Sequence, residues 1–369
     1  MKRIFIMENS GSPHEASVIS AIKVFKELNY DVRVILGTLA YKRLHSVLDK
    51  DVKIYKGYRL WDLLKIIRDI RGGGLMYQNT VSLQSSPLSL YLALLTKHNI
   101  YYVRNATSWF EFRPNTNKLV VKLMGLCLFL TKRFLLTRAE ALVVGHYNVD
   151  KYLRQKTTLP IFYMPFNLRD VQAQDVALNP RLKIVIPGTV DFSRKNNTVI
   201  ADTLQALDQR YLDNIEVVFL GKAVNKQAKE VLESWKASLG NSLVYYTGFI
   251  AQEEFDQQLA HADIIMGVIN IHHESKYYTE KYGQTKDTGL EGHAVGFAKP
   301  FFVNTEYFTD PQIESSVVKF SSVDELKRVI EKAVDDRDWL LRMKQEAIEN
   351  GKKFDLQTVV KKVEQVLNP

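Results

Sequence analysis

The sequence predicts an α/β protein built from two doubly wound, parallel-sheet domains, and three observations predict it. Short apolar runs with strand character alternate with segments of helical apolar spacing. The alternation occurs twice, on either side of DVQAQDVALNP, a polar run with no periodic pattern. The chain has 369 residues, and single cores rarely grow beyond about 250 to 300 residues. The expected division is residues 1–170, a linker at 171–181 and residues 182–354.

Composition fits a globular chain, with 46% apolar and 25% charged residues. Cys127 is the one cysteine, so an intrachain disulfide is excluded and a reducing compartment is expected. The opening MKRIFIMENSG has too few consecutive apolar residues for the roughly 7 to 15 of a signal-peptide core, so a cytoplasmic protein is expected. Charge is uneven. Residues 1–180 carry 26 Lys and Arg against 13 Asp and Glu, net +13; the whole chain is +9, leaving −4 for the rest. That asymmetry reads either as an anionic partner of the first half or as solvated Lys and Arg scattered over helices. No basic recognition helix or stacking platform accompanies it, so a membrane surface is expected rather than nucleic acid.

The first half opens with the strand Lys2–Met7, the loop ENSGSPHE and a helix over Ala16–Leu28. Ser12 is placed to cap that helix, Pro13 fits its first position and Glu15 closes a capping box. Asp31–Gly37 returns as a strand. The loop lacks the G-x-G-x-x-G of dinucleotide binding. Glu8, Ser10 and His14 nevertheless stand at a strand's carboxyl end, where open sheets bind ligands; His14 reads equally as a plain first-turn residue. Further strands are expected at Gly74–Gln78, Ile100–Val103 and Ala141–Val144. The segment Lys118–Leu136 is very apolar but interrupted by Lys122, Lys132 and Arg133, too short between charges for the roughly 20 residues of a membrane span. It reads either as a buried helix or as one lying in a membrane interface with its lysines toward anionic lipid, next to Trp109, Phe110, Phe112 and Arg113. His146 lies between a strand and a helix, the place of a site residue or of a turn histidine.

The second half starts with the strand at Leu182 in LKIVIPGTVDFSRKN, where Gly188 and Thr189 form the turn and Arg194 and Lys195 precede a helix. Strands IEVVFLG, LVYYTGFI with Gly248, and ADIIMGVIN follow, separated by helical segments. Arg194 and Lys195 suit a diphosphate, the guanidinium by paired contacts and the ammonium as a point charge. The stretch Tyr282–Asn304 then offers a loop with Thr285, Lys286, Thr288 and Gly289, a short helix and an apolar strand. That order suits an anion held at a helix start.

The ordered set PGTVDFSRKN, VVFLGK, YYTGFI, ADIIMGV and YGQTKDTGLEGHAVGFAKPFFV resembles the GT-B class of glycosyltransferases. The resemblance covers nearly the whole chain. It implies two Rossmann-like domains facing a cleft, an acceptor domain over 1–170 and a nucleotide-sugar donor domain over 182–354. The last helix, about 355–369, would pack back on the first domain. By the same resemblance Gly188, Thr189, Arg194, Lys195, Gly248, Thr285, Lys286, Thr288, Gly289, Glu291 and His293 would hold the donor, and Ser10, Ser12, His14 and Asn105 the acceptor. The large retaining family of this class has two glutamates in the late segment. Here Thr285 and His293 stand at those positions, with Glu291 two residues from the second, and Ala298 replaces an expected glycine.

Such an enzyme needs fixed positive charge at the departing diphosphate, which Arg194 and Lys195 would supply with help from Lys286. An inverting mechanism would also need a base, for which Glu8, His14, Glu15 and His146 are the candidates. No cofactor or metal is expected. Asp336-Arg337-Asp338 reads as a solvated helix face, and the side chains of His272, His273 and Glu274 diverge on an extended segment. The expected function is sugar transfer from a nucleotide sugar to a saccharide or lipid-linked acceptor, in bacterial surface polysaccharide synthesis at the inner face of the membrane. A nucleotide-sugar epimerase and a non-catalytic subunit of the same architecture are the alternatives.

Overall fold

The computed structural model describes residues 2–10, 14–57, 59–169, 171, 177–248, 250–275 and 277–367. The chain forms two compact units. The first comprises Met1–Leu168, Glu274–Asp287 and Leu356–Pro369, and the second Arg169–His273 and Thr288–Asp355.

The first unit holds a seven-stranded parallel sheet. Its strands are β1 (Arg3–Glu8), β2 (Asp31–Leu36), β3 (Lys53–Lys56), β4 (Leu75–Gln78), β5 (His98–Tyr102), β6 (Ala139–Val144) and β7 (Ile161–Tyr163), in the order β3-β2-β1-β4-β5-β6-β7. The chain steps outward from β1 to β3, then crosses over and steps the other way from β4. That reversal opens a crevice at the carboxyl ends of β1 and β4. One side of the sheet is covered by the helices Glu15–Glu27 and Leu356–Leu367, whose Val18, Ala21, Phe25, Val359, Val360 and Val363 share one core with Ile4, Ile6 and Val34. Each buried valine contributes roughly 1.5 to 3 kcal/mol, so the final helix is an integral part of this unit.

The second unit holds a six-stranded parallel sheet. After β8 (Leu182–Pro187), β9 (Ile215–Lys222), β10 (Leu243–Tyr246) and β11 (Ile264–Gly267), two three-residue strands intervene, β12 (His272–Glu274) and β13 (Thr279–Lys281). β14 (Phe301–Asn304) and β15 (Val317–Phe320) complete the sheet in the order β10-β9-β8-β11-β14-β15. Here the reversal falls between β8 and β11.

Residues 274–287 lie in sequence inside the expected donor domain but belong to the first unit. Hydrogen bonds explain why: Ala106 N donates to Thr285 O at 2.7 Å, Lys286 Nζ to Asn105 Oδ1 at 2.5 Å, and the N–H groups of Thr107 and Ser108 to the Glu280 carboxylate at 3.1 Å each. Of the expected linker, residues 172–176 lie outside the described residues.

One local expectation changes, and the open reading at Lys132 and Trp109 is decided. The helix begins at Glu15 with His14 at its cap and no side-chain capping bond, and the Glu15 carboxylate accepts from Arg43 Nη1 at 3.0 Å rather than closing a capping box; Ser12 and Pro13 lie outside the described residues. Of the two readings open for Lys132 the buried one holds: its Nζ donates to Ser108 Oγ at 2.6 Å. Trp109 is also buried, beside Tyr101.

Asp69 ties β2 and β3 to the helix Leu60–Arg71. It accepts from Arg33 Nη1 at 2.5 Å, from Lys53 Nζ at 2.9 Å and from the Tyr55 hydroxyl. Burial alone would raise its pKa, but the bonds from Lys53 and Tyr55 and the charges of Lys53 and Arg33 win and hold it at about 2, below the ordinary 3.8. A carboxylate depressed in the folded state stabilises above the unfolded value and loses that contribution as pH falls through the folded one. Stability is therefore expected to fall by on the order of 2 kcal/mol between about pH 4 and pH 2 through this group. Urea unfolding of Asp69→Asn as a function of pH should show a flatter acid limb; an unchanged limb would refute the assignment.

Candidate functional site

Sequence places Gly188 directly after β8, and the backbone there has φ +89°, a left-handed turn that glycine adopts without strain. The neighbouring strand must also be glycine at Gly221, because a Cβ there would lie 2.3 Å from Gly188 O. This close approach brings the chain end of β8 against the loop that follows it. In that loop Asp191 accepts from Ser193 N at 3.0 Å, Ser193 Oγ at 2.6 Å and Arg194 Nε at 2.7 Å, which fixes the guanidinium. Lys195 Nζ donates to Pro187 O at 2.5 Å. Burial, with a smaller push from the Arg194 charge, lowers its pKa to about 8. An arriving anion would reverse that shift, so the ammonium is poised to gain from one.

On the other side of the reversal, the helix Gly289–Gly296 is capped by Thr288, whose Oγ1 accepts from Leu290 N at 3.3 Å. It packs closely on β11 because Gly267 has no side chain; a Cβ there would meet Leu290 Cδ2 at 2.5 Å. His293 follows one turn later, its ring 5.3 Å from that of Phe255. Burial, then the charges of Arg169 and Lys195, lower its pKa to about 3, so it is a neutral imidazole at neutral pH. Arg169 is itself held by Asp256 at 2.5 Å and lies over the Phe297 ring. The second unit thus holds Gly188, Thr189, Arg194, Lys195, Thr288, Gly289 and His293, and the Lys195 charge reaches the His293 ring. Glu291 is turned inward, buried, with Oε1 accepting from Asp310 N at 3.3 Å. Gly248 lies in an exposed turn where nothing sits within 4 Å of an added Cβ.

Thr285 and Lys286 belong to the first unit. The crevice there is built on Glu8, which is 2% exposed. Its oxygens accept from Ser10 N at 2.8 Å, Asn79 Nδ2 at 2.5 Å and Thr80 Oγ1 at 2.9 Å, tying the ends of β1 and β4. A carboxylate so engaged orients loops rather than taking a proton from a ligand. Arg104 follows β5 and donates to Ser17 Oγ at 2.5 Å, Asn79 Oδ1 at 3.1 Å and Asn79 O at 3.3 Å. Asn105 beside it accepts from Lys286 and donates Nδ2 to the Tyr278 hydroxyl at 3.2 Å. His14 has its pKa lowered to about 2 by burial and then by the charges of Arg104, Lys286 and Arg43. That makes it a weak base at neutral pH. His146 is buried at the start of the helix Tyr147–Arg154, with Nδ1 accepting from Asn148 N at 3.1 Å.

Arg104 and Glu280 escaped the sequence reading. Arg104 stood next to Asn105 at a strand end and had a signal that could have been read. Glu280 had none, since its partners are about 170 positions earlier. Asp336 caps the helix Arg337–Lys352 by accepting from Trp339 N at 2.9 Å, and Glu274 accepts from Asn115 at 2.6 Å.

Among the described residues no helix is long and apolar enough to cross a membrane. The helix Leu119–Leu136 presents two faces: Gly125, Leu128, Lys132 and Leu135 are buried, while Leu119, Val120, Leu123 and Leu130 are between 52% and 70% exposed. At 100° per residue the exposed set forms one contiguous stripe.

No protein-family model matches the sequence, and no curated protein matches it. Solved structures do match over the whole chain. HepE of Anabaena, solved with UDP and separately with UDP-glucose, is 13% identical with a TM-score of 0.66, over 100% of this chain and 99% of that one. A glycosyltransferase of Rickettsia africae is 14% identical with a TM-score of 0.63, over 100% and 99%. WaaG, a glycosyltransferase involved in lipopolysaccharide biosynthesis, is 10% identical with a TM-score of 0.61, over 99% and 100%. The fold is the GT-B fold of two Rossmann-like domains.

Proposed function

We propose that the chain is a nucleotide-sugar-dependent glycosyltransferase whose second unit holds the donor diphosphate at the reversal between β8 and β11. The observation that carries this reading is Lys195, fixed on Pro187 O with its pKa lowered to about 8 in the same unit as the Thr288-capped helix start. Both supply positive potential where a nucleoside diphosphate would depart. HepE, of the same fold, has been solved with UDP and UDP-glucose, which supports a nucleotide-sugar donor. Arg194 would clamp the outer phosphate, and His293 would donate or accept one hydrogen bond without charge.

The acceptor is a saccharide or lipid-linked saccharide of a bacterial surface polymer, reached by the first unit lying on the inner face of the membrane. The exposed stripe of Leu119, Val120, Leu123 and Leu130 supports that placement, with the exposed Lys118, Lys122, Arg133 and Arg138 around it. So do the 75% exposed Trp61 and 61% exposed Leu94. Their helices cover the same sheet side: Ile66 and Leu92 share one core. Such a face gains from apolar insertion and from attraction to anionic lipid.

A panel of nucleoside-diphosphate sugars scored by thermal shift tests the donor reading. The right donor at about 100 times its Kd should stabilise the fold by about 2.7 kcal/mol. Acceptor-dependent release of the nucleoside diphosphate would separate transfer from epimerisation. No stabilising donor would sink the proposal. In flotation, binding to phosphatidylglycerol vesicles should fall with salt, and absence of binding would remove the membrane claim.

A further inference from the structure

Three segments far apart in sequence bring positive charge to one place in the first unit. Arg104 reaches the first turn of the helix Glu15–Glu27 through Ser17, whose Oγ also donates to His14 O at 2.8 Å. Lys286 comes from the 274–287 segment and is fixed to Asn105, the residue after Arg104. His14 stands at the helix start, where the backbone itself is partly positive.

The acids nearby each accept from named groups of their own. Glu8 is engaged by Ser10, Asn79 and Thr80, Asp287 accepts from the Tyr102 hydroxyl at 3.4 Å, and Glu15 is paired with Arg43 at 3.0 Å. Arg104 donates to Ser17 Oγ, Asn79 Oδ1 and Asn79 O, all uncharged acceptors, and its guanidinium lies 4.2 Å over the Tyr102 ring. The charges acting on His14 are Arg104, Lys286 and Arg43, all cations. The field at the neutral His14 imidazole is therefore positive, which an anion bound there would offset.

We propose that this crevice of the first unit is a binding site for a phosphoryl group carried by the acceptor, held by Arg104 and Lys286 with His14 as a third hydrogen-bonding partner. The fork of a guanidinium and the point charge of an ammonium together match phosphate oxygens. The assignment of the phosphoryl group to the acceptor rests on the reading that the first unit binds the acceptor. The anion site itself does not.

Histidine NMR on the full chain tests it, with the His14 signal among the eight histidines identified by His14→Gln. An anion between Arg104 and Lys286 must raise the His14 pKa, so adding inorganic phosphate or methyl phosphate should shift its titration upward by at least one unit. Arg104→Gln and, separately, Lys286→Gln should weaken phosphate at least tenfold, whereas Arg194→Ala should leave the response intact. Two variants guard against one failing to fold. No movement of His14, or a response lost in Arg194→Ala but kept in both first-unit variants, overturns the site. UDP separates the sources. With UDP saturating, phosphate should still move His14; if UDP itself produces the shift or blocks it, the anion is the donor's and the acceptor assignment falls. If UDP does not bind at all while phosphate still moves His14, the donor reading fails and the anion site stands.

Discussion

Lys195→Met is expected to lower kcat/KM for sugar transfer by about 10²- to 10³-fold, the loss seen when one preorganised donor to a developing oxyanion is removed. The effect should be large because Lys195 is positioned before substrate arrives. Its Nζ is held by Pro187 O, beside the glycine turn that Gly221 lets approach so closely. Methionine keeps the length of the side chain, so the fold should persist. Removing a cation whose pKa burial has lowered to about 8 relieves a desolvation cost, and the variant should unfold no more easily than the parent. Arg194→Gln should cost less, about tenfold, since that side chain is 43% exposed and already paired with Asp191. Steady-state kinetics beside UDP calorimetry separates binding from chemistry. Full activity in Lys195→Met would place the diphosphate elsewhere.

Glu280→Ala is expected to destabilise the protein by about 3 to 5 kcal/mol in urea unfolding, as for the loss of one partner in a buried charged network. Glu280 is 1% exposed and accepts the N–H groups of Thr107 and Ser108. It also supplies the negative field that supports Lys132, buried beside Ser108 Oγ. Without the carboxylate, two N–H groups lose their acceptors and the ammonium loses its counter-charge. Lys132→Met combined with Glu280→Gln should recover part of the loss, because a neutral pair of similar volume avoids the desolvation cost. The sign of the pH effect follows. Burial lowers the Lys132 pKa to about 7 from an ordinary 10.5, so between those values the unfolded chain binds more protons. Stability should rise with pH across that window and stop rising in Lys132→Met. A loss below 1 kcal/mol in Glu280→Ala would show that the 274–287 segment is held by its backbone bonds alone.

The double βα alternation was legible because a strand buried on both sides reads as a continuous apolar run, as in Ile184, Val185 and Ile186. Strand ends were legible for the same reason, and with them Gly188, Arg194, Lys195 and Thr288, which lie within a few residues of the strand or helix that positions them. Lys132 could be read either as buried or as facing lipid, because its neighbours on the helix are apolar on both faces. Only packing tells the buried side from the exposed one.

By itself the sequence determined the two series of alternating strands and helices, since each depends on local periodicity; the order of the strands in each sheet, and with it each reversal, came from the packed chain. Tertiary structure alone decided that residues 274–287 belong to the first unit, that Glu8 and Glu291 are spent on backbone and amide donors, and that Arg104, Lys286 and His14 share one crevice. Most of those facts rest on hydrogen bonds and fields between residues far apart in the chain, from Asp310 to Glu291 at 19 positions to Asn105 with Lys286 at 181. No local pattern encodes which distant partner satisfies a buried carboxylate; that choice is made only when the packed chain leaves each polar group one place to go.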